Sequence, residues 1–192
     1  TYQFKDVKDV LAKANEPKSG DRLIGIAAET ESERVAAKIV LANLTVRDIT
    51  ENPTVPYEKD EVTRVNIDGL SKPTYNKFAD MTIGELREYI MDHKTSCEDI
   101  LRATWGWDAD VIAAVAKICG SMDLVYAASK MTISATANTT IGLKGTLSYR
   151  LQTNSSTDNP DEIVAGLMEG VSYGSGDLCF GINPVEDNVE ST

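Results

Sequence analysis

The chain has 192 residues, of which 42% are hydrophobic, so it is long enough for one domain or two small ones with a buried core. Its net charge of −11 argues against nucleic acid and anionic membranes as partners, because both are negatively charged. The longest apolar run, Val111–Ala116, is too short for a transmembrane helix, and the N-terminal residues contain no apolar signal region. We therefore expect a cytoplasmic protein.

Histidine and cysteine are too few for the common metal and nucleophile sites. His93 is the only histidine, and Cys97, Cys119 and Cys179 lie far apart without paired spacing. We therefore expect no metal site and no catalytic triad built on histidine. The three cysteines are expected to stay reduced, with Cys119 and Cys179 buried.

Residues 1–132 are predicted to form a mainly helical N-terminal region. Three helix starts are indicated by capping pairs, in which a threonine is followed three residues later by a glutamate. These pairs are Thr30 with Glu33, Thr82 with Glu85, and Thr95 with Glu98. The strongest helix is predicted over Asp108–Cys119, and Gly120 ends it. Its inward side chains would be Val111, Ile112, Val115 and Ile118.

Two stretches of this region have a less regular pattern. Residues 46–76 contain three of the six prolines and many charges, so we predict a long acidic loop there, with a short strand at Val62–Ile67. Trp105 and Trp107 flank a glycine between two predicted helices, which indicates packing or an interface.

Residues 133–192 are predicted to contain a β-α-β unit. The unit consists of a strand over about 145–152, a helix over about 160–173 and a strand over about 177–183. The helix start is marked by the capping residue Asn159, by Pro160 at the first helical position and by acids in the first turn.

Polar side chains lie toward the carboxyl ends of these two strands. Arg150 and Gln152 share one face of the first strand, opposite Leu151, and Asn183 lies on the polar face of the second. In parallel α/β folds ligands bind at this edge of the sheet. An unpaired arginine buried in a barrel interior costs several kcal/mol, whereas at a strand end it can face a water-filled cavity or ligand oxygens. The alternative is that a surface acid pairs with Arg150.

One β-α-β unit cannot close a parallel barrel, which needs eight strands. The sequence stops at Glu190–Thr192, where a second helix would begin, and it starts without methionine. The simplest hypothesis is a truncated α/β protein, in which a helical region precedes the β-α-β unit.

Segments along the whole chain carry a family resemblance. They are TYQFKDVKDVLAKANEPKSGD at the start, ERVAAK at Glu33–Lys38, ELREYI at Glu85–Ile90, VIAAVAKIC at Val111–Cys119, ANTTIG at Ala137–Gly142, RLQ at Arg150–Gln152 and GINPVEDNVE at Gly181–Glu190. In this order they resemble the N-terminal part of the large subunit of ethanolamine ammonia-lyase, the adenosylcobalamin-dependent enzyme of bacterial ethanolamine utilisation. One departure is Thr153–Asn154, where the family has Pro-Asn after RLQ.

The resemblance implies a carbon–nitrogen lyase that converts ethanolamine to acetaldehyde and ammonia by radical chemistry with adenosylcobalamin. It also implies that the helical region precedes the first β-α-β unit of a (β/α)8 TIM-type barrel. A small subunit as partner, homo-oligomerising large subunits and a location within a bacterial microcompartment are implied as well. Carried over by position, Arg150 is catalytic and contacts the substrate hydroxyl, and Gln152 contacts the substrate amino end through its side-chain carbonyl. Asn183 matches a position at the cofactor and substrate and is assigned to cofactor binding. The acids that hold the substrate ammonium would lie beyond Thr192, so the isolated chain is expected to be inactive.

Two other functions stay open at this stage. One is a different TIM-barrel enzyme that acts on a small polar or phosphate-bearing substrate. The other is a non-catalytic assembly or scaffold module, which the long helical region and the incomplete barrel favour.

Overall fold

The computed structural model describes residues 1–136, 140–143, 145, 149–174 and 178–185. Within these ranges the chain is mixed α/β, mostly helical with two small sheets. It divides into two compact units, Thr1–Met131 and Thr132–Thr192. Across the described residues, no helix is both long enough and apolar enough to cross a membrane.

The first unit is built from helices joined by short turns. Its α-helices are α1 (Val7–Lys13), α2 (Ser19–Leu23), α3 (Glu31–Asn43), α4 (Val46–Thr50), α5 (Glu61–Asp68), α6 (Lys72–Phe78), α7 (Ile83–Met91), α8 (Cys97–Ala103), α9 (Ala109–Ile118) and α10 (Ser121–Lys130). Single 3-10 turns lie at Tyr57–Lys59 and Thr104–Gly106.

Two of the predicted capping pairs begin helices as expected. The Thr82 hydroxyl accepts a hydrogen bond from the Glu85 backbone N at 3.1 Å, and the Glu85 carboxylate accepts one from the Thr82 backbone N at 2.8 Å. At the start of α3 the Thr30 hydroxyl accepts from the Glu33 backbone N at 3.1 Å. The side chains therefore satisfy amide donors that have no partner inside the helix.

The third predicted capping pair is wrong by one residue. Ser96 caps α8, not Thr95, and Asp99 completes the reciprocal pair in place of Glu98. The Asp99 carboxylate accepts from the Ser96 backbone N at 3.0 Å. Serine followed three residues later by aspartate supplies the same groups as threonine followed by glutamate, so sequence alone does not separate the two registers.

The stretch predicted as an acidic loop is mostly helical. It contains α4, α5 and the first five residues of α6, and the predicted strand Val62–Ile67 lies inside α5. Asp60 begins α5 by accepting a hydrogen bond from the Thr63 backbone N at 2.7 Å. Pro73 lies in the first turn of α6, where its missing N–H has no partner to lose. The proline and the acid therefore mark helix starts here.

The first unit buries one apolar core. Its completely buried large side chains are Leu41, Val46, Ile49, Ile83, Leu86 and Val111. Trp107 is also buried, with its ring edge-on to Phe78 at 5.4 Å between centroids, which confirms the packing role. Trp105 is 72% exposed, so that role does not extend to it. Ile112, predicted to face inward from α9, is 49% exposed.

The second unit contains the parallel strand pair. Its elements are β1 (Ala135–Thr136), β2 (Thr140–Ile141), β3 (Tyr149–Gln152), α11 (Pro160–Ser172) and β4 (Leu178–Gly181). β1 and β2 pair antiparallel, whereas β3 and β4 pair parallel and are joined through α11. The predicted strand residues 146–148 and 177, and the predicted helix start at 190–192, lie outside the described residues.

Helix α11 begins where the sequence predicts. The Asn159 side-chain oxygen accepts from the backbone N of Asp161 at 2.8 Å and of Glu162 at 3.3 Å, and Pro160 occupies the first helical position. The helix therefore starts from its own sequence signals.

Candidate functional site

The parallel pair brings the predicted site residues to one edge of the sheet. In the β3–β4 register Arg150 lies opposite Cys179, and Gln152 lies opposite Gly181. Asn183 follows two residues after the end of β4. The carboxyl ends of both strands therefore meet at the same edge, with these polar residues on or next to them.

Arg150 and Gln152 face away from helix α11. Leu151, between them, packs on the helix at Gly170, where an added Cβ would lie 2.3 Å from the Leu151 Cδ2. Because side chains alternate along a strand, the neighbours of Leu151 point to the opposite face, and both are exposed. Cys179 lies on β4 opposite Arg150 and is exposed, so its predicted burial is wrong.

The guanidinium of Arg150 lies over Gly181. A Cβ added at Gly181 would come within 2.6 Å of the Arg150 Nη2 and 3.0 Å of its Nε. Any larger residue would displace the arginine, so the glycine keeps this position open for it. No acidic side chain within the described residues pairs with Arg150.

A hydrogen-bond network ties the two strand ends together. The Gln152 Nε2 donates to the Gly181 carbonyl oxygen at 3.0 Å and to the Asn154 Oδ1 at 3.3 Å. The same Asn154 Oδ1 accepts from the Asn183 backbone N at 3.2 Å. Asn154 therefore links the loop after β3 to the loop after β4. Sequence reasoning missed this role, because it depends on two strand ends that meet only in the folded chain.

The loop between β3 and α11 is held by its own polar contacts. Ser155 is buried; its hydroxyl donates to the Glu162 carboxylate at 2.6 Å and accepts from the Asn159 backbone N at 3.0 Å. Asp158, in the left-handed region with φ 52°, accepts from the Val185 backbone N at 2.8 Å. These bonds tie the loop that carries Asn154 to the start of α11 and to the backbone after β4.

The site contains groups that bind and orient a small polar molecule. Arg150 presents a fork of N–H donors, and the amides of Gln152 and Asn183 can each donate and accept. Within the described residues, no three His, Cys, Asp or Glu side chains come together in a way that could hold a metal ion. The donors and acceptors of these three side chains can bind hydroxyl, amino, amide or carboxylate groups of a small molecule.

Comparison with known proteins identifies relatives over essentially the whole sequence. A family model described as ethanolamine ammonia lyase large subunit (EutB) matches residues 2–192. The chain is 51% identical over 190 residues to the ethanolamine ammonia-lyase large subunit of Salmonella typhimurium strain LT2, and 52% identical over 190 residues to that of Escherichia coli strain K12. Each alignment covers 99% of this chain but 42% of the relative, so the chain spans less than half of their length.

Proposed function

We propose that this chain supplies part of the substrate site of an enzyme that releases ammonia from ethanolamine. The chain belongs to the ethanolamine ammonia lyase large-subunit family, which supports this proposal. The observation that carries this proposal is the exposed guanidinium of Arg150, which lies over Gly181 where the two parallel strands end. A charged donor at this edge suits a small substrate with a hydroxyl group.

Arg150 would donate hydrogen bonds to the substrate hydroxyl oxygen. Its positive charge would also favour any negative charge that builds up on that oxygen during the reaction. Gln152 would hold the other end of the substrate by accepting a hydrogen bond from the amino group through Oε1. The two side chains point to the same face, so they can contact both ends of a two-carbon amino alcohol.

The exposed polar groups fit adenosylcobalamin as the cofactor. The periphery of a corrin ring carries amide side chains and its adenosyl group carries ribose hydroxyls, both of which pair with an amide that can donate and accept. Asn183 is exposed beside the substrate-facing residues and is the group that would hold the cofactor. When bound, adenosylcobalamin supplies the radical chemistry that breaks an unactivated carbon–hydrogen bond.

The same family membership supports proposals about assembly and architecture. We infer that β3, α11 and β4 form the start of a parallel β/α barrel, which the parallel pairing and the intervening helix support. We infer a small subunit as partner because the relatives are named large subunits. Homo-oligomerisation of large subunits and a location in a bacterial microcompartment stay predictions from the resemblance.

The test of the proposed function is replacement of Arg150. In the full-length gene product, assembled with the small subunit and adenosylcobalamin, Arg150→Ala should lower kcat/KM for ethanolamine by about tenfold or more, because a charged hydrogen bond is lost. Acetaldehyde release gives the rate, and the absorption spectrum of bound cobalamin shows that the variant is loaded.

A matched arginine provides the control. Arg102 is 74% exposed on α8 and pairs with Glu98 on the same helix, so Arg102→Ala should leave kcat/KM unchanged. A folded, cobalamin-loaded Arg150→Ala variant with a near-wild-type kcat/KM would show that Arg150 does not contact the substrate.

A further inference from the structure

We propose that Asn154 is a positioning residue that fixes the direction in which Gln152 presents its side-chain amide. The inference rests on the proposed function of Gln152 as a substrate contact. Asn154 lies two residues after the end of β3, and its Oδ1 contacts both the Gln152 side chain and the backbone of the loop after β4.

Backbone groups set the polarity of this network at both of its ends. The Asn183 backbone N can only donate, so the Asn154 atom that faces it at 3.2 Å has to be the oxygen. The Gly181 carbonyl oxygen can only accept, so the Gln152 atom that faces it at 3.0 Å has to be the nitrogen. The remaining contact, 3.3 Å between Gln152 Nε2 and Asn154 Oδ1, then pairs a donor with an acceptor.

Reversing either amide would break this match. A reversed Gln152 would face two acceptor oxygens with its own Oε1, and a reversed Asn154 would face two N–H donors with its Nδ2. Either reversal therefore loses two hydrogen bonds and sets like partial charges against each other. Each amide is fixed by a backbone group and by the other amide. Asn154 therefore favours a single orientation of the Gln152 side chain.

The consequence for recognition is that the site presents an acceptor. Both Nε2 hydrogens are engaged, and no donor within the described residues bonds to the Gln152 Oε1, which can accept from a substrate. An ammonium or hydroxyl group satisfies this oxygen, whereas a carboxylate or carbonyl oxygen is repelled by it. Asn154 would thus contribute to selection for a donor-bearing substrate without touching the substrate.

The positioning role of Asn154 is tested by the kinetics of variants. They are made in the full-length gene product and assembled with the small subunit and adenosylcobalamin. Asn154→Ala should raise KM for ethanolamine about three- to tenfold with little change in kcat, because Gln152 loses its orientation before the substrate binds. Asn154→Asp keeps an oxygen acceptor and should restore much of the wild-type KM. Ser156→Ala, at an exposed position in the same loop, is the matched control and should leave KM unchanged.

A double-mutant cycle shows whether Asn154 acts through Gln152. When Gln152→Ala is already present, Asn154→Ala should change KM by less than about twofold, because there is no amide left to orient. Asn154→Ser, whose shorter side chain cannot bridge the two loops, gives the same comparison if the alanine variant does not assemble.

The outcomes separate this inference from the proposed function. If Gln152→Ala leaves KM unchanged, the substrate contact of Gln152 is wrong, and the positioning role fails with it. If Gln152→Ala raises KM but Asn154→Ala does not, or if the two effects add in full, the substrate contact stands and the positioning role of Asn154 is overturned.

Discussion

In the first unit, helices α3, α7 and α9 pack around completely buried side chains such as Leu41 and Ile83, whereas the described part of the second unit has its large apolar side chains at least partly exposed. No apolar side chain is buried among the described residues of the second unit, where Met168 and Phe180 are 64% and 52% exposed. Apolar burial therefore stabilises the first unit, whereas the described residues of the second are held by strand pairing and loop hydrogen bonds. Periodicity identifies an apolar face, but burial depends on which elements fold beside it.

The sharpest test of this comparison deletes an apolar side chain in each unit. Leu41→Ala should lower the free energy of unfolding by about 3 kcal/mol, because it leaves a cavity in a packed core. Met168→Ala should change it by less than about 0.5 kcal/mol, since an exposed side chain leaves no cavity. Urea denaturation followed by far-ultraviolet circular dichroism measures both.

A control on the same helix separates core loss from helix propensity. Ile39 lies two residues before Leu41 on α3 and is 60% exposed. Ile39→Ala should therefore lower the free energy of unfolding only slightly. If Ile39→Ala and Leu41→Ala were equally destabilising, the contrast between a packed and an open region would be lost.

Two glycines give a second comparison, with a smaller expected effect. A Cβ at Gly106 would lie 2.5 Å from the Tyr75 backbone N, which cannot move without shifting α6, so Gly106→Ala should cost about 2 kcal/mol. At Gly170 the nearest atoms are the methyl groups of Leu151, which can rotate away. Gly170→Ala should therefore hardly change the free energy of unfolding, since alanine also has a better helix propensity than glycine. Thermal unfolding of the two variants would show whether backbone contact decides the cost, and equal losses would contradict it.

The smallest expected change in stability comes from removing a charge. The ion pairs between described residues lie in the first unit, so the test is made there. The hydrogen bond from Lys13, aided by the Glu29 backbone N at 2.8 Å, lowers the pKa of Glu33 below its ordinary value of 4.5. Glu33→Gln should cost about 1 kcal/mol at neutral pH. This pair stabilises the fold above pH 4.5, and its contribution is lost as the pH falls through the lowered pKa.

Stability measured across acidic pH checks the sign. The difference between wild type and Glu33→Gln should shrink below pH 4.5 and vanish once the folded carboxyl is protonated. The hydrogen bond to Glu33 also raises the pKa of Lys13 above 10.5, so the contribution is present below that value and is lost at more alkaline pH. A difference that stayed constant down to acid unfolding would show that the pair adds no stability of its own.

The sequence predicts features that depend on neighbours within a few residues. The caps at Thr82 and Asn159 and the opposite faces of Leu151 and Arg150 are of this kind, because a capping bond or a strand alternation is decided locally. Arg150 and Gln152 share one face of the sheet because of that alternation.

Features that depend on distant contacts could not be predicted in this way. Val62 and Val65 fit a strand or a helix face, and their 67% and 70% exposure shows that core burial does not decide between the two. The bonds that Asn154 makes to Gln152 and to the backbone of Asn183 need two strand ends to meet, which no local pattern reveals.

Both tryptophans of the chain, Trp105 and Trp107, lie in the first unit, two residues apart and in opposite surroundings. Trp105, which is 72% exposed, should emit at longer wavelength and be quenched by acrylamide. Trp107, which is 5% exposed, should emit at shorter wavelength and be protected from acrylamide. Their fluorescence therefore reports on the first unit alone. The second unit has no tryptophan, so tryptophan emission does not report its unfolding. A change in emission that comes before or after the loss of far-ultraviolet circular dichroism would show that the two units unfold separately.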